Sequence, residues 1–394
     1  MTGPSVFIYV QHLLGVGHLS RALTLADGLI AAGARVTLAS GGFPAPGLTL
    51  PPQVSFIQLP PLRAADAGFA DLRDEADRPL TATWKDRRRA ALLAAYDKTE
   101  PDVLITELYP FGRRMMAFEL KPLLEQTRKQ QPRPLVMASV RDILATPKPE
   151  RMAATVALIQ RFYDLILVHS DPKIIPLDVT FPAAREIADT LRYTGYMVPE
   201  FPMTEQLPPA FTDSPPDLEV LISAGGGGVA LPIIAAAAAA RPFSTLKDRP
   251  WRCRIAPQEL DRVRQTLGAA SNDLILERPQ DDFRTRLRHC VVSLSRAGYN
   301  TTMDILSAQA RALVIPFAAE GETEQTIRAE VMARHRLLMY LTEDRLEPRQ
   351  LAAALDAASQ MPRPTVDTID LSGRLASARL VMEAYHRHRS VRQE

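Results

Sequence analysis

The chain has 394 residues, 46% of them hydrophobic, and its 47 basic and 45 acidic residues leave a formal net charge of +2. These values exclude a disordered chain, suit two domains of ordinary size, and give no electrostatic reason to expect nucleic acid as a partner. Cys253 and Cys290 are too few and too far apart for a disulfide framework or a zinc site, and seven scattered histidines show no metal-ligand spacing, so no metal is expected.

Strand and helix patterns alternate from the first residues. Val6–Val10 reads as a buried strand, and Gly15-Val16-Gly17-His18 as the glycine turn after it. Leu19, Ala22, Leu23, Ala26, Leu29 and Ile30 recur at helical spacing, with Gly33 as the end signal. Strands follow over 36–39, 54–59, 103–106, 135–140 and 165–169. Between them, 63–89 is polar and ends in Lys85-Asp86-Arg87-Arg88-Arg89, read as a solvated face whose functional alternative is contact with anionic lipid or a phosphorylated acceptor, with Trp84 beside it. Prolines crowd 199–216, where no helix survives. A second alternating series has strands over 218–223, 252–256, 274–276, 290–294 and 312–316, and a helix over 371–389 with Leu375, Ala378, Leu380 and Ala384 among its apolar positions.

Strands spaced by helices imply parallel sheets with right-handed crossovers. The expected class is α/β, with two Rossmann-like doubly wound domains facing across a cleft. The expected divisions are 1–199, a proline-rich linker at 200–216, a second domain at 217–370, and a helix at 371–394 that crosses back to the first domain. The N-terminus lacks a charged segment followed by an apolar one, so no signal peptide is expected. No apolar run nears the roughly 20 residues of a membrane span. A cytoplasmic protein is expected, with room for peripheral contact with the inner face of a membrane.

Each half opens with a glycine-rich turn after a strand. The second is Gly225-Gly226-Gly227-Gly228, following Val220-Leu221-Ile222. Such turns let backbone N–H groups approach a ligand, and the following helix N-terminus favours negative charge. His18 sits where a general base would be used, His12 is its rival in the same loop, and Glu107 ends a strand at the same sheet edge as base or acceptor contact. Arg141-Asp142 lies at that edge too, favoured slightly as a local ion pair, and His169-Ser170-Asp171 as a turn former. In the second half, Ser295–Asp304 reads as a strand-to-helix turn, with Thr301 and Thr302 as capping or first-turn residues. Asp304, about one turn in, is suited to accept both ribose hydroxyls of a nucleotide. Arg296 is a cation near the phosphates, and Gln325 a donor to sugar hydroxyls.

The run from Leu294 to Gln325 resembles the donor-binding region of GT-B glycosyltransferases, and is most similar to the family of the peptidoglycan N-acetylglucosaminyltransferase acting on lipid-linked muramyl-pentapeptide. The resemblance rests on Gly298, Thr301, Asp304, Pro316-Phe317 and Glu324-Gln325, with Gly225–Gly228 as the glycine loop near the donor diphosphate and Gly15-Val16-Gly17-His18 as the first-domain turn. The family's acidic residue is usually Glu where this chain has Asp304, and its fuller glycine cluster is thinned to Leu13-Leu14-Gly15-Val16-Gly17. The likeness covers the architecture of nearly the whole chain, its motifs only a small part. It implies an inverting, metal-independent transferase with a nucleotide diphosphate sugar, uridine-linked, as co-substrate and no cofactor. The acceptor stays unidentified, with lipid-linked and polysaccharide acceptors of the cell envelope both open. Alternatives are a nucleotide-sugar 2-epimerase or hydrolase of the same fold, using Glu107 or Asp142, or a non-catalytic nucleotide-sugar-binding subunit.

Overall fold

The computed structural model describes residues 3–13, 15–45, 48–65, 71–200, 219–223, 230–280, 282–318 and 322–390. The loop Gly225–Gly228 and nearly all of the proline-rich linker lie outside these residues. The chain divides into two compact units, Met1–Pro199 with Asp370–Glu394, and Glu200–Ile369.

In the first unit, β1 (Ser5–Val10), β2 (Arg35–Ser40), β3 (Ser55–Gln58), β6 (Val103–Glu107), β7 (Leu135–Arg141), β8 (Leu165–His169) and β9 (Leu191–Tyr193) form one parallel sheet in the order β3-β2-β1-β6-β7-β8-β9. Every residue of β1 is buried, as expected of a strand covered on both faces. Its helices are α1 (Gly17–Ala31), α2 (Ala82–Thr99), α3 (Ala117–Lys129) and α4 (Pro149–Phe162). Beyond α1, Gly33 takes φ +90, which a Cβ would strain, and its N–H bonds Ile30 O at 2.8 Å. The sheet order reverses between β1 and β6, so the carboxyl ends of these two strands flank the switch point where ligands collect in open α/β sheets.

The described residues of the polar stretch 63–89 depart from the sequence reading. Arg63–Ala64 and Leu72–Arg73 pair as a short antiparallel ribbon (β4, β5), and α2 follows, capped by Thr81, whose Oγ1 accepts Trp84 N–H at 3.1 Å. The basic run on α2 is not simply a solvated face. Arg88 is fully buried, its Nε 2.9 Å from Glu119 Oε2 and its Nη2 donating to Gln11 Oε1 at 2.9 Å. Trp84 is buried as well and donates its indole N–H to Glu75, so it is no surface anchor. Burial won because Glu119, Gln11 and the Gly41 carbonyl satisfy the guanidinium inside the protein.

In the second unit, β10 (Val220–Ser223), β11 (Trp251–Arg254), β12 (Ile275–Glu277), β13 (Val292–Ser295), β14 (Ala312–Val314) and β15 (Met339–Tyr340) form a parallel sheet ordered β12-β11-β10-β13-β14-β15. Helices α5 (Ala230–Ala240), α6 (Leu260–Leu267), α7 (Phe283–His289), α8 (Tyr299–Ser307), α9 (Glu324–Arg334) and α10 (Pro348–Gln360) cover it. The alanine-rich α5 buries Ile233, Ile234, Ala237 and Ala240 against the core. Here the order reverses between β10 and β13. The short strands β9 and β15, two or three residues long, carry too little periodicity to be read from sequence.

The last helix, α11 (Gly373–Ser390), belongs to the first unit. It packs along α1, where Arg374 pairs with Asp27 at 2.8 Å and Gly28 leaves room for the Arg374 backbone. The buried face is Gly373, Ser377, Ala378, Val381, Ala384 and Tyr385, whereas Leu375, one of the apolar positions of the sequence pattern, is exposed. The face is chosen by the close approach at Gly28, which only a backbone and a small neighbour fit. Among the described residues, no helix is long and apolar enough to cross a membrane.

Candidate active site

The first unit gathers its chemistry at the switch point of its sheet. His18 is the second residue of α1, and Glu107 the last of β6. His18 Nδ1 lies 3.1 Å from Glu107 Oε1. Arg21, one turn further along α1, donates to the same carboxylate oxygen. Glu107 Oε2 accepts the Ser139 hydroxyl at 2.5 Å, and Ser139 Oγ lies 2.8 Å from His169 Nε2. His169 Nδ1 is 3.0 Å from Thr194 Oγ1. Register explains the grouping: Glu107 pairs Ser139 across β6 and β7, and Arg141 pairs His169 across β7 and β8.

Burial alone would raise the Glu107 carboxyl. The Arg21 charge and the His18 and Ser139 hydrogen bonds overcome it and bring the group down to about 2. An ionised carboxylate only accepts hydrogen bonds, and Arg21 Nη2, also 3.1 Å from Nδ1, makes its much closer contact with the Glu107 oxygen, so the proton of His18 is assigned to Nδ1 and Nε2 is left as the basic nitrogen. Burial and the nearby Arg113 charge hold His18 well below the usual imidazole value, despite Glu107. Burial takes His169 down to about 3, so it too is neutral. Arg113, left-handed at φ 56, donates from Nε to Gln11 O at 2.9 Å, and burial and the Arg141 charge push it down to about 10.

His12 is bonded elsewhere. Its Nε2 lies 2.9 Å from Phe43 O, and its ring packs against Gly42 so closely that a Cβ there would come within 2.5 Å of three ring atoms. Asp142 Oδ1 accepts the neighbouring Ile143 N–H at 2.8 Å. Gly15 precedes α1 and Gly17 is its first residue, and a Cβ at Gly15 meets nothing within 4 Å.

In the second unit, Arg296, Gly298, Thr301 and Asp304 run from the end of β13 into α8, beside that sheet's switch point. Gly298 is the residue before the helix, so Thr301 and Thr302 lie within the first turn and do not cap it. Gly298 has φ −65, ordinary for any residue, and a Cβ there meets nothing within 4 Å. The fold therefore makes no demand for glycine at this position. Asp304 keeps 21% of its side chain exposed, 3.8 Å from Arg284, and burial pushes its carboxyl up to about 7 against that cation.

Arg296 pairs with Glu343 at 2.5 Å and lies over the Phe317 ring. Gln325 Oε1 accepts Phe317 N–H at 3.1 Å, bridging the two ends of the loop after β14. Glu324 binds the buried Arg328 at 2.8 Å, and Arg328 donates to Ala297 O at 2.9 Å, so this pair braces the turn containing Gly298.

The structure thus brings His18 and Glu107 together, and separately places Arg296, Gly298, Thr301 and Asp304 on one turn and its helix. Sequence reasoning missed Arg21, Ser139, Arg113 and the part played by His169. Only Arg21 had a visible signal, three residues after His18 and on the same helix face.

Residues 278–368 match the glycosyltransferase family 28 C-terminal domain. Over 115 residues the chain is 28% identical to the UDP-N-acetylglucosamine–N-acetylmuramyl-(pentapeptide) pyrophosphoryl-undecaprenol N-acetylglucosamine transferase of Methylibium petroleiphilum, a match spanning 26% of this chain and 31% of that relative. Similar solved structures include MurG of Acinetobacter baumannii (TM-score 0.56, 16% identity, 98% of this chain and 100% of that one). The calicheamicin glycosyltransferase CalG4 (0.61, 16%, 98% of each) and a UDP-glucosyltransferase from Polygonum tinctorium (0.63, 14%, 98% and 100%) are similar as well. The chain has the GT-B fold.

Proposed function

We propose that this chain, whose residues 278–368 match a family 28 glycosyltransferase C-terminal domain, is an inverting, metal-independent transferase that moves a sugar from a uridine diphosphate sugar to an acceptor hydroxyl. The observation that carries the reading is the His18–Glu107 pair: a neutral imidazole with Nδ1 on an ionised carboxylate and Nε2 left as the base. Nε2 takes the acceptor proton as the hydroxyl oxygen bonds to the anomeric carbon. The bond from that carbon to the diphosphate oxygen breaks, the diphosphate leaves with the electron pair, and attack opposite the leaving group inverts the centre. Glu107 stabilises the imidazolium that forms. General-base catalysis of this kind contributes roughly 10²–10⁴-fold.

In this reading the second unit holds the donor. The α8 N-terminus and Gly225–Gly228 offer backbone N–H groups to the diphosphate, metal-free. Gly298 fits close approach by a ligand, because the protein itself does not require glycine there. Asp304 accepts the ribose hydroxyls and Gln325 contacts the sugar. Thr301 adds a hydroxyl on the first turn, and Arg296 and Glu324 hold the turn and the loop beside it. The relative's printed acceptor, a pyrophosphoryl-undecaprenol, makes a lipid-linked or envelope polysaccharide acceptor, met at a membrane surface, our reading for this chain. Epimerisation or hydrolysis through Glu107 as an acid is disfavoured, since a carboxyl held at about 2 carries no proton at neutral pH.

A panel of nucleotide diphosphates and their sugars in thermal-shift assays tests the donor half. A selective shift with one uridine-linked sugar is expected, lost in Asp304→Ala and weakened in Gly298→Ala without a change in ligand-free melting point. With an acceptor that supports transfer, release of UDP from that sugar should fall about 10²–10⁴-fold in His18→Ala and be unaffected by chelator. No shift with any nucleotide would overturn the reading.

A further inference from the structure

The hydrogen bonds behind Glu107 run one way. Ser139 has one hydroxyl proton, and its 2.5 Å contact with Glu107 Oε2 claims it. Ser139 Oγ must then accept from His169 Nε2–H, which leaves Nδ1 as the acceptor nitrogen of His169, 3.0 Å from Thr194 Oγ1, whose own proton also reaches Gly195 O at 2.8 Å. His169 and Ser139 thus form a buried relay, the first donating to the second and the second to the carboxylate, with Thr194 beside the far nitrogen of His169. The mechanism above uses none of the three. From its β7 neighbour to the start of α1, Glu107 faces Ser139, Arg21 and His18. His18 in turn faces Arg21 and Arg113, and the charges that reach His169 are Arg21 and Glu107.

Two roles fit such a chain: a wire that drains the proton from His18, or a clamp that fixes the carboxylate. At neutral pH neither Glu107 nor His169 holds an extra proton, so a wire has no resting place along it, and the clamp is favoured.

We infer that His169 is a positioning residue for the base: by donating to Ser139 it locks the serine hydroxyl onto Glu107, which holds the carboxylate in the orientation that fixes the tautomer and basicity of His18. This rests on the reading of His18 as the base. Losing the clamp leaves Glu107 a stronger acceptor toward His18, so the imidazolium is favoured and the His18 titration moves to higher pH.

The test is the titration of His18 in full-length protein labelled with ¹³C-histidine, assigned with His18→Ala, and it needs no substrate. An upward shift is expected in Ser139→Ala and in His169→Leu. Return toward the starting value is expected in His169→Gln, whose amide keeps an N–H donor for Ser139. Where UDP release is measured, its acid limb should move with the titration, with a loss of about tenfold in His169→Leu. An unmoved His18 titration in Ser139→Ala overturns the inference, even if His169→Leu fails to fold. Equal behaviour of the Leu and Gln variants overturns it too. Undiminished UDP release in His18→Ala would instead remove the base reading, and the inference with it.

Discussion

Two carboxyls of this chain are moved in opposite directions, and the difference is in their partners. Glu107 is buried among donors and drops to about 2, while Asp304, with Arg284 at 3.8 Å as its one ionic partner among the described residues, rises to about 7. Two ribose hydroxyls would supply the donors Asp304 lacks and favour its ionised form. Donor binding near pH 7 should therefore release a proton, seen by calorimetry as a heat that depends on the buffer's ionisation enthalpy. Asp304→Asn should abolish that dependence. Glu107 and His169 make acid the weak point of the first unit. His169 has its folded value below 6.5, so as pH falls through 6.5 the unfolded chain takes up a proton that the fold refuses, and stability drops until about 3. Glu107 adds to the loss as pH falls from 4.5 toward 2. Denaturant titrations across pH should show this decline, shallower between pH 6.5 and 4.5 in His169→Gln.

At the scale of elements, α2 separates neighbours of identical chemistry. Arg87 is 55% exposed beside Glu75, whereas Arg88 is wholly enclosed with Glu119. Arg88→Met leaves the Glu119 charge buried without its cation and should cost about 3–5 kcal/mol. Arg87→Met should cost at most about 1 kcal/mol. Chemical denaturation of both variants checks the contrast, and similar values would mean that the enclosed network contributes little. The α1–α11 contact is decided as narrowly. A Cβ at Gly28 would lie 2.5 Å from the Arg374 carbonyl, so Gly28→Val should destabilise by about 1–3 kcal/mol through overpacking.

At the scale of the whole molecule, the first unit is closed by the end of the chain. Asp370 N–H bonds Asp171 Oδ2 at 3.0 Å, Tyr196 N–H bonds Asp370 O at 2.7 Å, and α11 buries Ala378, Val381, Ala384 and Tyr385. Val381 and Tyr385 each contribute about 1.5–3 kcal/mol, so this face supplies a sizeable share of the roughly 5–15 kcal/mol stability of a typical domain. A chain ending at Ile369 should lose the cooperative unfolding of the first unit while the donor-induced shift of the second unit persists. Differential scanning calorimetry with and without the nucleotide sugar separates the two transitions.

The sequence by itself determined the architecture: alternating buried strands and helices, two parallel sheets, a proline-crowded stretch between them and a final helix. Strand burial and helix periodicity are local, one-dimensional signals, so β1, β6, β13 and α11 were legible within a residue or two. His18, Glu107 and Asp304 stood out for the same reason, each lying at a strand end or within about a turn and a half of a helix start. What only the tertiary structure decided is which of these groups meet. Eighty-nine residues separate His18 from Glu107, and the β6–β7–β8 register brings Ser139 and His169 behind them. No spacing in the chain encodes that neighbourhood. Burial of Arg88 within a basic run, and exposure of Leu375 in an apolar pattern, were likewise set by what the rest of the fold presses against them.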